Sequence, residues 1–188
     1  MSPTVTVPTT VPILATRIAG HAPRAADTCW AAVAIILTEG LAGPEMLLTR
    51  RAARTGDRWS GDMALPGGKY EPSDVSVEAT AARETLEETQ VTVGPVVGRL
   101  DDLEGRPTNH RIATVVFTVD GRPDPVPEPL EVAEAMWLPV TDLADPANRS
   151  WHRYQGVVPF PAITVGEHTI WGLTHRVLTH FMAVAGLI

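Results

Sequence analysis

Three glutamates between residues 84 and 88 have the residue type and spacing of a divalent-metal site. Glu84, Glu87 and Glu88 stand at positions i, i+3 and i+4, and on a helix these positions share one face. Like charges gathered within one turn repel each other, so the cluster favours a bound cation. Carboxylate oxygens are hard ligands that suit Mg²⁺ or Mn²⁺, and these ions bind phosphate oxygens in turn. The spacing therefore predicts a Mg²⁺ or Mn²⁺ site for pyrophosphate chemistry.

A glycine pair and an arginine accompany the glutamates. Gly67 and Gly68 precede them, and glycine adopts backbone conformations that other residues avoid, which would let the Gly68 carbonyl approach a metal. Arg83 adjoins Glu84, and its planar guanidinium can hold a carboxylate in a fixed orientation. The alternative is a solvated helix face, where glutamate and lysine commonly alternate. Lysine is absent from residues 76–90, which disfavours that alternative.

The stretch resembles the Nudix box, the signature of hydrolases that cut a nucleoside diphosphate linked to another moiety. Gly68 opens the pattern, and residues 83–88 read Arg-Glu-Thr-Leu-Glu-Glu. Asp74 stands near the place of a family glutamate, and Gln90 replaces the family glycine that ends the helix. Glutamine tolerates the left-handed conformation of such a helix end poorly, so we expect this end to be reshaped.

The flanking residues are similar to a branch of the family that resembles coenzyme A pyrophosphatases. The similarity is carried by Pro-Gly-Gly-Lys at 66–69, Glu-Pro-Ser-Asp at 71–74 and Thr-Ala-Ala-Arg-Glu at 80–84. It implies metal-dependent hydrolysis of the pyrophosphate bond of coenzyme A or a derivative. ADP-ribose, NADH or another nucleotide is the alternative substrate. A non-catalytic Nudix-like module that binds a nucleotide is the alternative outside the enzyme class.

The resemblance also implies roles for individual residues. Glu84, Glu87, Glu88 and the Gly68 carbonyl are the expected metal ligands, and Arg83 is expected to orient the catalytic carboxylates. The general base is either Glu84 or a glutamate on a distant loop. Two glutamates are candidates for that loop position, with Glu131 preferred over Glu134. The predicted catalytic set is therefore Glu84, Arg83 and Glu131.

Other polar and aromatic residues are weaker candidates. Four arginines between residues 50 and 58 could contact substrate phosphates, although such residues are more often surface charges: Arg50, Arg51, Arg54 and Arg58. Trp171 could stack on a base, but an aromatic residue in an apolar helix usually belongs to the core. The six histidines show no metal-ligand spacing, and His175 and His180 are expected at the core edge or the surface.

Length and composition limit the remaining options. A chain of 188 residues fits one domain. Its net charge of −7 argues against broad nucleic-acid binding. The resemblance implies a small nucleotide diphosphate as the partner. Cys29 is the only cysteine, which excludes an intrachain disulfide and favours a reducing compartment. We expect no membrane span, no signal peptide and a cytoplasmic location. A homodimer is the assembly that the resemblance implies.

Strands and helices must position these residues. The sequence predicts a strand buried on both faces at residues 30–37, which forms a hairpin with residues 45–50. Further strands are predicted at 91–100, 111–119 and 133–138, and helices at 76–89 and 169–187. In the first helix the expected buried stripe is Ala79, Ala82, Leu86 and Thr89.

Together these elements predict an α/β fold with the layers of an α/β/α sandwich. The resemblance implies that this is the Nudix-type sandwich with a mixed β-sheet. Residues 28–188 are predicted to form a single Nudix hydrolase domain. Residues 1–27 are predicted to form an N-terminal tail, for which an edge strand is one option.

Overall fold

The computed structural model describes residues 10–26, 28–105 and 110–188, and within these ranges the chain forms four α-helices and two sheets. In chain order the elements are α1 (Val11–Ala19), β1 (Ala31–Gly40), β2 (Gly43–Arg51), β3 (Met63–Ala64), β4 (Gly67–Lys69), α2 (Val77–Thr89), β5 (Val96–Arg99), β6 (Leu103–Glu104), β7 (Arg111–Thr118), β8 (Val132–Pro139), α3 (Val140–Ala144), β9 (Arg149–Tyr154), β10 (Val158–Val165), β11 (His168–Trp171) and α4 (Gly172–Val184). A short 3-10 helix covers Pro146–Asn148.

The large sheet is built around the parallel pair β1 and β7. The other edge of β1 is shared by two antiparallel neighbours, because β2 pairs with residues 37–40 and β4 pairs with residues 31–33. β8 and β3 extend the sheet beyond β2, and β5 and β6 pair with β7. Parallel and antiparallel pairs thus occur in one sheet, which confirms the predicted mixed sheet.

Helices cover both faces of this sheet. Alternate residues of β1 point to opposite faces, so Ala32, Ala34 and Ile36 lie in the core beneath α2. Ile35 and Leu37 face the other core, which contains buried residues of α1, α3 and α4. The burial of β1 on both faces agrees with its continuous apolar sequence, and the predicted α/β/α sandwich is confirmed.

The segment before residue 28 departs from the prediction of a tail or an edge strand. Residues 11–19 form α1, in which Leu14 and Ile18 are fully buried. The backbone N–H of Val11 also donates to the Glu39 carboxylate over 2.8 Å. Apolar residues at helical spacing and a proline in the first turn explain this helix. The remaining part of the predicted tail, residues 1–9 and residue 27, lies outside the described residues.

A small three-stranded sheet, in the order β11-β10-β9, precedes the last helix. The sequence analysis extended that helix back to residue 169, but residues 168–171 form β11 and the helix begins at Gly172. Within the described ranges, no helix is long and apolar enough to cross a bilayer.

Candidate active site

The helix α2 begins where its sequence predicts but buries a different face. The Ser76 hydroxyl accepts a hydrogen bond from the Ala79 N–H over 3.2 Å and caps the helix. Of the predicted stripe only Thr89 is fully buried, whereas Ala79 and Ala82 are half-buried and Leu86 is 44% exposed. The helix instead buries Thr80, Ala81 and Thr85. The side chains of Thr85 and Thr89 donate to the carbonyls four residues earlier, and this lets threonines be buried without an unpaired hydroxyl. The rotation carries Glu88 inward.

The strand β4 passes directly against Glu84. A Cβ atom added to Gly68 would lie 2.3 Å from the Glu84 Oε1 atom, and one added to Gly67 would lie 2.4 Å from the Ala32 carbonyl oxygen. Gly67 also has a φ of +154°. Only glycines allow the β4 backbone to fit between β1 and the glutamate side of α2.

Arg83 is the centre of the hydrogen-bond network on this face of α2. Its Nε and Nη2 atoms donate to the two carboxylate oxygens of Asp74, each over 3.0 Å. Its Nη1 atom donates to Glu84 and to Glu87, also over 3.0 Å each, and Nη2 reaches the Lys69 carbonyl over 3.1 Å. One guanidinium thus fixes the loop before α2, the end of β4 and two glutamates relative to each other.

Asp74 anchors this network from the loop. Hydrogen bonds from the Arg83 guanidinium, and secondarily from the Glu71 N–H, hold the pKa of the Asp74 carboxyl well below its usual range. The Thr80 hydroxyl donates to the same carboxylate over 2.9 Å. The tight turn from Glu71 to Asp74 brings the shorter acid within reach of Arg83.

The three glutamates differ in environment. Glu88 is 8% exposed, and its Oε2 atom accepts a hydrogen bond from the Gly67 N–H over 3.2 Å. Burial raises the pKa of Glu88 to about 8 and also raises the pKa of Glu84, while the side chain of Glu87 is exposed. In the described residues their oxygens do not all lie within 4.8 Å of one another. They nevertheless gather carboxyl oxygens beside β4, and a divalent cation there would favour the ionised form of each.

Glu131 approaches this cluster from another part of the chain. The N–H groups of Val126 and Glu128 donate to the carbonyls of Thr89 and Glu88, which draws the loop before β8 onto the end of α2. The negative charge of Glu131 raises the pKa of both Glu84 and Glu88, although burial contributes most to each shift.

Arg54 holds the Glu131 side chain. Its Nη2 atom donates to Glu131 Oε1 over 3.0 Å, and its Nε atom donates to the Leu130 carbonyl over 2.6 Å. Glu134, the second candidate for the loop base, lies within β8 and is paired with Arg50. The structure therefore brings Glu131 to the box glutamates and engages Glu134 elsewhere.

Comparison with known families agrees with this arrangement. A family model described as the NUDIX domain matches residues 29–156, more than half of the chain. The chain belongs to the Nudix family. The family predicted from the box is thereby confirmed, and with it the expectation of a pyrophosphohydrolase is supported.

Individual Nudix relatives are similar over most of this chain. The mitochondrial coenzyme A diphosphatase NUDT8 of Homo sapiens is 35% identical over 80% of this chain and 66% of its own length. The chloroplastic Nudix hydrolase 22 of Arabidopsis thaliana is 31% identical over 79% of this chain and 52% of its own length. The chain thus spans from about half to just under two thirds of these relatives. A solved Nudix hydrolase from Alicyclobacillus acidocaldarius has a TM-score of 0.55 at 21% identity, covers 85% of this chain and 93% of that one, and supports the fold.

The C-terminal end of α2 has the left-handed backbone conformation that the family glycine would give. Gln90 has φ and ψ of 57° and 14°, which is the left-handed conformation, and its N–H donates to the Leu86 carbonyl. The expectation of a reshaped helix end was therefore wrong. The side chain is tolerated because Gln90 is exposed, although a residue with a Cβ atom is strained in this conformation.

An aromatic cleft lies beside this Nudix site. The sequence analysis named Trp171 as a candidate but did not identify the other residues of the cleft. Trp171 is buried, stacks on His152 at 4.3 Å between ring centroids, and donates its indole N–H to Asp62 over 3.0 Å. His152 and Trp171 both line a cleft of about 290 Å³. Arg51 links the cleft to the acid cluster, because its positive charge lowers the pKa of both Asp62 and Glu88 against the larger effect of burial. His152 and Tyr154 stand two residues apart and therefore share a face of β9, which was the available signal.

Proposed function

We propose that this chain hydrolyses the pyrophosphate bond of a nucleoside diphosphate linked to another moiety, with Mg²⁺ or Mn²⁺ as the cofactor. The observation that carries the proposal is the close approach of Gly68 to Glu84. On the same helix, Arg83 joins Asp74 to Glu84 and Glu87 through hydrogen bonds. The box acids are all retained, which disfavours a module that only binds nucleotides.

The donor set fits a hard divalent cation. Glu84, Glu87 and Glu88 would hold it, with the Gly68 carbonyl as a further oxygen ligand. Burial, and secondarily the charges of Glu84 and Glu131, raise the pKa of Glu88, and a bound cation would favour the ionised form of this carboxyl group. When bound, the cation would neutralise diphosphate charge and lower the pKa of a coordinated water.

The remaining roles belong to protein side chains. Arg83 orients Glu84 and Glu87 through its Nη1 atom. We assign the general base to Glu131, because its side chain is 48% exposed and can reach solvent, whereas that of Glu84 is 13% exposed and bound to Arg83. A water attacks one phosphorus atom, Glu131 accepts its proton, and the bond from that phosphorus to the bridging oxygen breaks. Two phosphate monoesters then leave.

Coenzyme A or a derivative is our proposed substrate. The support is the similarity to coenzyme A diphosphatases at 35% and 31% identity. Cleavage would give an adenosine diphosphate and 4'-phosphopantetheine or its acylated form. The aromatic cleft beside Arg51 supplies rings and an acceptor at Asp62 for a heterocycle. A cytoplasmic location and a homodimer stay predictions.

A substrate panel tests the proposal. Coenzyme A, an acyl-coenzyme A, ADP-ribose and NADH would each be incubated with Mg²⁺ or Mn²⁺, and products identified by mass spectrometry. We expect metal-dependent cleavage, fastest for coenzyme A or its derivative. Glu87→Gln should remove turnover without unfolding the protein, and Glu78→Gln, in the first turn of the same helix, is the matched control. Full activity of Glu87→Gln would overturn the site, and a preference for ADP-ribose or NADH would overturn the substrate.

A further inference from the structure

A second group of ligand atoms lies away from the Nudix box. His21 follows α1, Asp101 follows β5, and His180 lies within α4. The residues of α1 and α4 belong to the core on the sheet face opposite α2. Among the described residues, these three side chains form the one set of His, Cys, Asp and Glu whose ligand atoms all lie within 4.8 Å of each other.

The distances within this group suit a small cation. His21 Nε2 lies 2.9 Å from Asp101 Oδ1, and His180 Nε2 lies 3.8 Å from Asp101 Oδ2. Ligands about 2.0–2.1 Å from a tetrahedral zinc ion stand about 3.3 Å apart, and the two observed separations bracket that value. The imidazole rings meet edge to face with centroids 5.7 Å apart, so both Nε2 atoms approach the same carboxylate.

Hydrogen bonds engage the ring nitrogens of both histidines, and a bound ion would replace them. His180 Nε2 accepts a hydrogen bond from the Asp101 N–H over 3.3 Å, so this nitrogen carries the lone pair that an ion would take. His21 Nε2 lies 2.9 Å from Asp101 Oδ1 and donates its proton to this carboxylate, so an ion that binds here would displace that proton. The His21 and His180 side chains are 21% and 25% exposed, which leaves a path for an ion to enter.

Arg24 is the competitor for this site. Its Nε and Nη2 atoms both lie 2.8 Å from Asp101 Oδ2, while its side chain is 90% exposed. A long exposed side chain loses little when it moves into water. The backbone N–H of Arg24 donates to Oδ1 over 3.0 Å and would keep the carboxylate oriented.

We propose that His21, Asp101 and His180 form a second metal site, which takes a borderline transition-metal ion such as Zn²⁺, Co²⁺ or Ni²⁺. Two imidazole nitrogens and one carboxylate oxygen suit these ions better than Mg²⁺, so the site differs in selectivity from the proposed site at the box. An ion here would join the segment after α1 to β5 and α4 and stabilise the fold. The site lies outside the catalytic network and is not required for turnover.

The probe is Co²⁺, titrated into untagged protein that carries Glu84→Gln, Glu87→Gln and Glu88→Gln, so that the box cannot bind it. Visible absorption reports nitrogen and oxygen ligation, and calorimetry reports stoichiometry. We expect one ion per chain and a rise in Tm. His180→Gln should weaken binding by at least ~10-fold. Absence of Co²⁺ binding, or equal binding in His180→Gln and Asp101→Asn variants that keep their circular dichroism, would overturn the proposal.

The Arg24→Gln variant distinguishes a metal site from a cluster that only stabilises the fold, because only a metal site predicts a change in ion affinity. Without the guanidinium on Oδ2, the ion should bind more tightly, by about tenfold, since one competing charge is removed. Equal or weaker ion binding in Arg24→Gln would contradict the proposal that the ion and Arg24 compete for the Asp101 carboxylate. Hydrolysis by the protein with an intact box should be unchanged in His180→Gln, which separates this inference from the proposed function.

Discussion

The amide N–H of Gly67 donates to the Oε2 atom of the buried Glu88 over 3.2 Å, and this hydrogen bond connects β4 to α2. A single neutral donor is a small compensation for a carboxylate that is 8% exposed. The metal-free site is therefore built around a carboxyl group that favours its protonated form.

This relationship predicts how stability and metal binding depend on pH. Burial raises the pKa of Glu88 from 4.5 to about 8. Below pH 4.5 the group is protonated in both the folded and the unfolded chain. As the pH rises from 4.5 to 8 the unfolded chain loses this proton first, so the free energy of unfolding falls, by about 1.4 kcal/mol for each unit of pKa difference.

Glu88→Gln should remove that fall in metal-free protein, as measured by Tm in the presence of a chelator between pH 4.5 and 8. Mg²⁺ affinity of the unmodified protein should rise over the same range, because the ion requires the carboxylate. Glu78→Gln serves as the control. The same slope of Tm against pH in Glu88→Gln and the unmodified protein would contradict the assignment.

Gly68→Ala should damage the site more than the fold. The new Cβ atom would lie 2.3 Å from Glu84 Oε1, and Glu84 would have to move. Displacement of a reacting group by about 1 Å can reduce kcat by ~100-fold, and Mg²⁺ affinity should fall with it. Gly20→Ala is the matched control, since its nearest contact would be 3.6 Å. Unchanged Mg²⁺ affinity in Gly68→Ala would show that Glu84 does not need its observed position.

Asp74→Asn should release Arg83 and change the behaviour of the protein in acid. Because Arg83 depresses the pKa of Asp74, this carboxylate stabilises the fold above its ordinary value of 3.8 and loses that contribution as the pH falls below it. The variant should therefore have a lower Tm at neutral pH, and the difference should shrink in acid. We expect kcat to fall by about tenfold, since Arg83 no longer fixes Glu84. A constant difference in Tm down to acid pH would contradict this account.

The box itself could be predicted from sequence because its chemistry is local. Glu84, Glu87 and Glu88 share a helix face at any packing of that helix, and the continuous apolar run of β1 favours a buried strand. The rotation of α2 could not be predicted in the same way. It depends on threonines that satisfy their hydroxyls within the helix, so that an apolar residue such as Leu86 is left outside.

Contacts between distant segments were the other part that sequence reasoning missed. Glu131 was proposed as the base because family resemblance supplied the loop. Its charge raises the pKa of Glu84 and Glu88 after the larger effect of burial, and its role as base stays a prediction. His21, Asp101 and His180 are separated by about 80 residues at each step, so no spacing rule could join them. The helix α1 had a usable signal in Val11, Leu14 and Ile18, which the surrounding prolines and threonines obscured.

Gln90→Gly should stabilise the protein. The left-handed conformation of Gln90 costs a residue with a Cβ atom about 1–2 kcal/mol, and glycine avoids this cost but loses more entropy on folding. We expect a net gain of about 0.5–1 kcal/mol in the free energy of unfolding, measured by denaturant titration. Gln90→Ala keeps the Cβ atom and should give no gain. Equal stability of the two variants would mean that the strain at this helix end is negligible.

Glu131→Gln and Glu84→Gln should separate the general base from the metal ligands. If Glu131 accepts the proton, its replacement should reduce kcat by ~10²–10⁴-fold with Mg²⁺ affinity unchanged, and at saturating Mg²⁺ the acidic limb of the pH profile of kcat/KM should disappear. Glu84→Gln should instead weaken Mg²⁺ binding and keep that limb at saturating Mg²⁺. Arg54→Gln frees the Glu131 carboxylate from its 3.0 Å partner, so it should lower kcat through loss of positioning and leave Mg²⁺ affinity unchanged. Loss of the limb in Glu84→Gln and its persistence in Glu131→Gln would transfer the role of base to Glu84.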